Sequence, residues 1–147
     1  MSRIPILVRL VALKNIHPIL THTVNGLTPT SLSFLIISKL YSIKCLEMSS
    51  FYLILAVTTA TPLTMVSGLI DWKYKYGMRK FPLMKRKITT SIVGYIFVIA
   101  YVVFKELNHS IVLLILAVIL FGITGELGGR LVHGVANREL LKKYLKD

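Results

Sequence analysis

Acidic residues are scarce in this chain of 147 residues, which has 6 Asp and Glu against 18 Lys and Arg. The formal net charge is +12, so an anionic partner is expected, either a nucleic acid or a membrane surface. Cysteine is nearly absent too. The single Cys45 excludes an internal disulfide, and no Cys-x-x-Cys-His segment occurs, which excludes covalent attachment of a c-type haem.

Charge is missing altogether from four long stretches, residues 15–38, 48–70, 88–104 and 107–125. Each is about as long as the roughly 17 to 25 residues that a helix needs to cross a bilayer. A soluble domain of this size would not contain four such stretches. The sequence therefore predicts an all-α integral membrane protein, a bundle of four transmembrane helices at about 15–40, 48–71, 88–105 and 109–134.

The basic residues are distributed unequally between the two sides of such a bundle. Fifteen of the 18 would lie on the side of the two termini, and only Lys39, Lys44 and Lys105 on the other. Cytoplasmic loops of membrane proteins carry the excess of Lys and Arg, so both termini are predicted to be cytoplasmic. Topology and attraction to anionic lipid then explain the charge, and no nucleic acid is expected.

This topology divides the chain into three parts. A basic interfacial segment at 1–14 precedes the transmembrane domain at 15–136, and a basic cytoplasmic tail follows at 137–147. Arg9 and Lys14 interrupt the apolar start of the chain, so no cleavable signal peptide is predicted. We expect a multi-pass protein of the cytoplasmic (inner) membrane, with membrane lipids among its partners.

The second predicted helix contains Pro62, which leaves carbonyl groups of the preceding turn without their helical partners. Either neighbouring hydroxyls or neighbouring helices can satisfy these groups, and Thr58 and Thr59, four and three residues before the proline, are expected to do so. Nearer its end, this helix has a polar face whose carboxylate is expected either to pair with a basic residue or to orient a histidine. The residues of that face are Thr64, Ser67, Gly68 and Asp71.

The fourth predicted helix ends in the glycine-rich segment GITGELGGRLVHG. Gly125 and Gly129 form a Gly-x-x-x-Gly pair, which lets another helix or a flat ligand approach the backbone closely. Plain helix packing explains the same pattern. Glu126 and Arg130 lie one turn apart, so they form either an ordinary i,i+4 ion pair or a functional pair of intramembrane charges.

The first predicted helix opens with NIHPILTHTVNG, which brings histidine, asparagine and threonine to membrane depth. His17 and His22 lie about 140° apart around a helix, so they cannot bind one metal ion together. His17 is expected at the membrane interface. His22 lies deeper and shares a face with Asn25 and Gly26, so His22 is predicted to point into the bundle.

A b-type haem held by two histidines is one function for these residues. His22 and His133, from the first and last helices, would bind the iron, and the glycines would leave room for the ring. Asn25, Gly129 and, with a weaker claim, His17 would line the cofactor. In the alternative interpretation, His22 only hydrogen-bonds to Asn25 or to a neighbouring helix.

Three motifs, HPILTH, SGLIDW and GELGGRLVHGV, together resemble an uncharacterised family of small four-helix bacterial membrane proteins, a domain of unknown function. Its first helix typically begins His-Pro-x-x-x-His-Phe-Pro, and this chain has Thr23 and Val24 in place of the Phe-Pro. The resemblance extends over residues 15–136. Some members are fused to Rieske iron–sulfur domains, which implies a redox setting.

These observations predict a small integral membrane subunit of an electron-transfer system, which binds a b-type haem or contributes to a quinone site. It would not be an enzyme by itself and would act with partner membrane or redox subunits. The alternative is a non-catalytic structural or accessory subunit of a larger membrane complex. A small transporter is disfavoured, because ion coupling uses intramembrane carboxylates and the centres of helices 2 and 3 are uncharged.

Overall fold

The computed structural model describes residues 16–75, 82–107 and 110–136, and the predicted terminal segments 1–14 and 137–147 lie outside these ranges. The described chain forms four α-helices, in the order that the uncharged stretches predicted. They are α1 (Ile16–Tyr41), α2 (Lys44–Lys75), α3 (Pro82–Val103) and α4 (Ser110–Ala136).

Two of these helices begin earlier than predicted because charged residues belong to their first turns. α2 includes Lys44 and Glu47, and an acidic residue in a first turn is stabilised by the helix dipole. α3 begins at Pro82, since the fixed φ of proline suits the first helical position and its missing N–H has no helical partner to lose. Uncharged windows therefore underestimate the length of both helices.

Three of the four described helices have the length and apolar composition needed to cross a membrane, which indicates a membrane protein. They are the spans Lys44–Lys73, Pro82–Val103 and Ser110–Leu131. Many large apolar side chains on these helices face outward, as lipid contact requires. The predicted fourth span, α1, is long enough but carries many hydroxyl groups, so its crossing and the cytoplasmic position of the termini stay predictions.

The helices pack as an antiparallel bundle with a regular seam. α1 packs most closely on α2 and α3 on α4, while smaller contacts between α1 and α4 and between α2 and α3 complete the ring. Inward-facing residues recur at intervals of three and four, the spacing of left-handed helix bundles. On α1 these residues are His17, Thr21, Val24, Thr28, Ser31, Leu35 and Ser38.

The seam is filled unevenly along its length. In the middle of the bundle and toward the α1–α2 turn it carries large apolar side chains such as Ile54, Val98 and Leu114, which are fully buried. At the end where α1 and α3 begin, called the cavity end, it carries small or polar residues such as Thr61 and Gly128. Because these side chains occupy less volume, the helices leave space between them there.

In lipid, the burial of apolar side chains drives helix association only weakly. Hydrogen bonds between helices therefore contribute to the packing of this bundle. Ser31 of α1 and Ser50 of α2 have no exposed surface. The Ser31 hydroxyl donates to the Ser50 carbonyl at 2.9 Å, and the Ser50 hydroxyl donates to the Ser31 carbonyl at 2.8 Å. This reciprocal pair links the two helices of the first hairpin.

The carbonyl that Pro62 deprives of a helical partner is that of Thr58, four residues earlier. Tyr95 of α3 donates its hydroxyl to this carbonyl at 3.2 Å. The hydroxyls of Thr58 and Thr59 instead donate further back, to the carbonyls of Ile54, Leu55 and Ala56. The expectation that these threonines satisfy the proline break was therefore wrong, because a neighbouring helix does so.

We expect Tyr95→Phe to lower the free energy of unfolding in detergent by about 0.5–1.5 kcal/mol, the usual net contribution of one hydrogen bond. Tyr52→Phe is the control, because Tyr52 is an exposed tyrosine of α2. In a Pro62→Ala background the Thr58 carbonyl regains a helical donor, so the Tyr95→Phe loss should shrink. An equal loss in both backgrounds would show that the hydroxyl does not serve the proline break.

Candidate functional site: a cavity between two helical hairpins

A cavity of about 630 Å³ lies at the cavity end, between the α1–α2 hairpin and the α3–α4 hairpin. This volume is within the range of small-molecule and cofactor sites. All four helices contribute to its walls, which are mostly apolar. Apolar wall residues include Met65, Trp72, Met84, Ile88 and Phe121.

His17 enters this cavity from α1 and is held by the backbone of α2. Its Nδ1 lies 3.0 Å from the carbonyl oxygen of Thr64 and 3.2 Å from the hydroxyl of Ser67. A carbonyl only accepts hydrogen bonds, so Nδ1 carries the proton and Nε2 is left with a lone pair. The fixed tautomer therefore presents an acceptor nitrogen on the other side of the ring.

Gly68 makes room for the His17 ring against α2. A Cβ atom at position 68 would lie 2.9 Å from Cε1 of His17 and 3.3 Å from its Nδ1, closer than such atoms pack. The ring thus lies against the α2 backbone where any side chain would displace it. The polar face of α2 therefore positions one imidazole, that of His17, through Thr64, Ser67 and Gly68.

Lys87 of α3 reaches the same place from the opposite hairpin. Its Nζ lies 3.4 Å from Nε2 of His17, so the ammonium donates to the imidazole lone pair. The side chain crosses close to Gly128 of α4, where a Cβ would lie 3.3 Å from Nζ. A buried carboxylate, Asp71 of α2, interacts electrostatically with Lys87.

His17, Asp71 and Lys87 form what we call the polar cluster. Its members come from three helices and gather at one end of a mostly apolar cavity. The cluster offers hydrogen-bond donors and an acceptor to a bound molecule, while the remaining walls suit an apolar group. The arrangement therefore fits an amphiphilic ligand better than a water-soluble one.

The predicted positions of the two helix-1 histidines are reversed. His22 is exposed on the outer face of α1, and His17 lies in the cavity. His17 lies on the inward seam with Val24, whereas His22 belongs to the opposite face with Gly26. The prediction that His22 points into the bundle was therefore wrong.

The other predicted site residues divide between the cavity and the surface. Asn25 lines the cavity and packs on Gly125. A Cβ atom added at Gly125 would lie 2.5 Å from Nδ2 of Asn25. Gly129 is exposed, and among the described residues nothing lies within 4 Å of a Cβ added there, whereas Asn25 closely approaches Gly125. The side chain of His133 lies outside the described residues.

Glu126 and Arg130 form the ordinary i,i+4 ion pair, exposed at the surface of α4. Lys87, which directly precedes the uncharged stretch 88–104, is a cavity residue that the prediction missed. The spacing of the sequence indicates its inward position, because Lys87 lies three residues after Met84 and four before Ser91, on the inward seam of α3. The predicted helix began at residue 88 and so left the lysine out.

A protein of Archaeoglobus fulgidus, described as uncharacterized, is 50% identical to this chain over 104 residues. The match covers 70% of this chain and 88% of the archaeal protein. The chain belongs to the same family as this archaeal protein. The motif resemblance implied a bacterial family of four-helix membrane proteins, whereas this relative is archaeal. No protein-family model and no solved structure matches the chain.

We expect Gly68→Ala to lower the thermal midpoint in detergent, because the added methyl forces the His17 ring off the Thr64 carbonyl. The loss of that hydrogen bond corresponds to about 1 kcal/mol. Gly26→Ala is the matched control, since nothing lies within 4 Å of its Cβ position, and alanine favours a helix over glycine by about 0.5–1 kcal/mol. In a His17→Ala background Gly68→Ala should no longer destabilise. Persistent destabilisation there would contradict the role assigned to Gly68.

Proposed function

We propose that this chain is a small integral membrane subunit of an electron-transfer system and that its cavity binds a membrane quinone. The observation that supports this best is the polar cluster at one end of an apolar cavity, with an oriented imidazole and an ammonium 3.4 Å apart. A quinone has a matching form, since two carbonyl oxygens lie on an otherwise apolar ring. The Rieske fusions implied by the motif resemblance supply the redox setting.

The polar cluster suits both redox forms of such a ligand. The oxidised form presents carbonyl oxygens, to which Lys87 can donate a hydrogen bond. The reduced form presents hydroxyl groups, which can replace the Lys87 ammonium as the donor to Nε2 of His17, since its Nδ1–H is committed to Thr64. Asp71 adds a carboxyl group to the same end of the cavity.

The described residues do not fit the predicted haem held by His22 and His133. A bis-histidine site needs two imidazoles on facing helices, and within ranges 16–75, 82–107 and 110–131 only His17 brings an imidazole to the cavity. His22 points away from it. We therefore favour the quinone site, with the electrons supplied by a redox partner subunit such as an iron–sulfur protein.

Trp72 makes the proposal directly measurable. It is the only tryptophan of the chain and lies in the cavity wall, so a quinone bound there should quench its fluorescence. We expect menadione to quench Trp72 saturably in the purified protein. His17→Ala should weaken binding about tenfold, which corresponds to the loss of about 1.4 kcal/mol, whereas His22→Ala on the outer face of the same helix should leave it unchanged.

Failure to saturate, or equal effects of His17→Ala and His22→Ala, would overturn the quinone site. A Soret band that disappears in His22→Ala would instead support the haem interpretation. The spectrum is recorded on the same preparations after expression with added haem.

Lys87 allows a second test of the same site. Lys87→Met keeps the length and apolar stem of the side chain but removes the donor, so menadione binding should weaken about tenfold. Lys85→Met is its control, because Lys85 is an exposed lysine of the same helix. Equal binding by the two variants would show that the Lys87 ammonium does not contact the ligand.

The alternative of a purely structural accessory subunit rests on the outer face of α1. His22 and Gly26 are exposed there, and a small residue beside a polar one suits close contact with a helix of another subunit. Extraction in mild detergent followed by mass analysis identifies such a partner. A partner lost in Gly26→Leu, together with the absence of saturable quinone quenching, would favour this alternative.

A further inference from the structure

The cavity reaches the outer surface of the bundle at an apolar side opening. Among its wall residues only Pro18, Leu69 and Ile92 are exposed. Pro18 lies beside His17 at the polar end. Leu69 of α2 and Ile92 of α3 are 51% and 47% exposed, although both line the cavity. The cavity is therefore continuous with the outside between α2 and α3.

This opening, called the lateral mouth, is apolar along its length. Met65 and Leu69 line it on α2, and Ile88 and Ile92 line it on α3. The mouth extends from Leu69, next to Gly68 and the His17 ring, to Ile92 near the middle of the span Pro82–Val103, so it leads from the polar cluster to the depth of the lipid chains. On the opposite side of the bundle Asn25 of α1 packs on Gly125 of α4.

We infer that the ligand of this cavity carries a long apolar tail and enters from the lipid through the lateral mouth between α2 and α3. The head then meets His17 and Lys87, and the tail lies between Leu69 and Ile92 and continues into the bilayer. The side chains that line the mouth offer no hydrogen bonds to a water-soluble molecule on this route. This inference rests on the proposed quinone site and specifies the ligand as a tailed, lipid-dissolved quinone.

The test compares two ligands with the same naphthoquinone head, menadione without a tail and a menaquinone with an isoprenoid tail, by quenching of Trp72 in lipid nanodiscs. Leu69→Phe combined with Ile92→Phe places a larger side chain on each of the two helices that line the mouth. We expect this double variant to weaken menaquinone binding about tenfold more than menadione binding, because only menaquinone has a tail that occupies the mouth.

The control is Ile119→Phe combined with Ile123→Phe. These isoleucines are also exposed but lie on α4 and do not line the cavity. Ile123 is close in depth to Ile92, because the neighbouring Thr124 donates to Thr90 of α3 at 2.9 Å. The control variant should bind both ligands normally.

Equal weakening of the two ligands by the mouth variant, or no weakening of menaquinone, would overturn the lateral route. Menaquinone weakened as much by the α4 control would overturn it as well. These outcomes are distinct from failure of the quinone site itself, which would appear as the absence of saturable quenching by either ligand in the unchanged protein.

Discussion

The bundle depends on one geometric constraint, the recurrence of inward residues at intervals of three and four along each helix. In lipid there is little hydrophobic force between helices, so close packing and interhelical hydrogen bonds hold them together. Where the seam carries residues such as Ile54 and Leu114, it is solid. Where it carries Thr61, Gly68 and Gly128, the same geometry encloses a cavity. The site is therefore a consequence of side-chain volume along a regular seam, and no break in the fold is required.

Polarity is a poor guide to the inward face of a helix such as α1. Threonine and serine occur on both of its faces, and those on the outer face donate to their own helix, as Thr30 does to the Gly26 carbonyl at 2.8 Å. Such hydroxyls are satisfied without a neighbour and need not face the bundle. The sequence prediction selected His22 because it lies deeper than His17 and shares a face with Asn25 and Gly26. The spacing through Val24 and Leu35 identifies the other face, on which His17 lies.

Much of the fold could be predicted from the sequence because it depends on local properties. Uncharged stretches gave the number and order of the helices, and one-turn periodicity gave the polar face of α2 with Thr64 and Asp71. The donor to the Thr58 carbonyl could not be predicted, since Tyr95 lies 37 residues away on another helix. Lys87 was missed for a related reason. A lysine next to an uncharged stretch is taken as the end of the membrane span unless the structure shows that its side chain lies in a cavity.

The placement of Lys87 connects the fold to the proposed chemistry. A lysine at an inward seam position is costly in a membrane bundle unless other groups compensate its charge and hydrogen bonds. Here His17 accepts from it and Asp71 balances it, although each belongs to a different helix. An ion pair used only for packing would need no oriented imidazole and no surrounding space. The proposed recognition of a polar head on a lipid-dissolved molecule rests on this arrangement, a lysine beside a fixed imidazole at one end of a mostly apolar cavity.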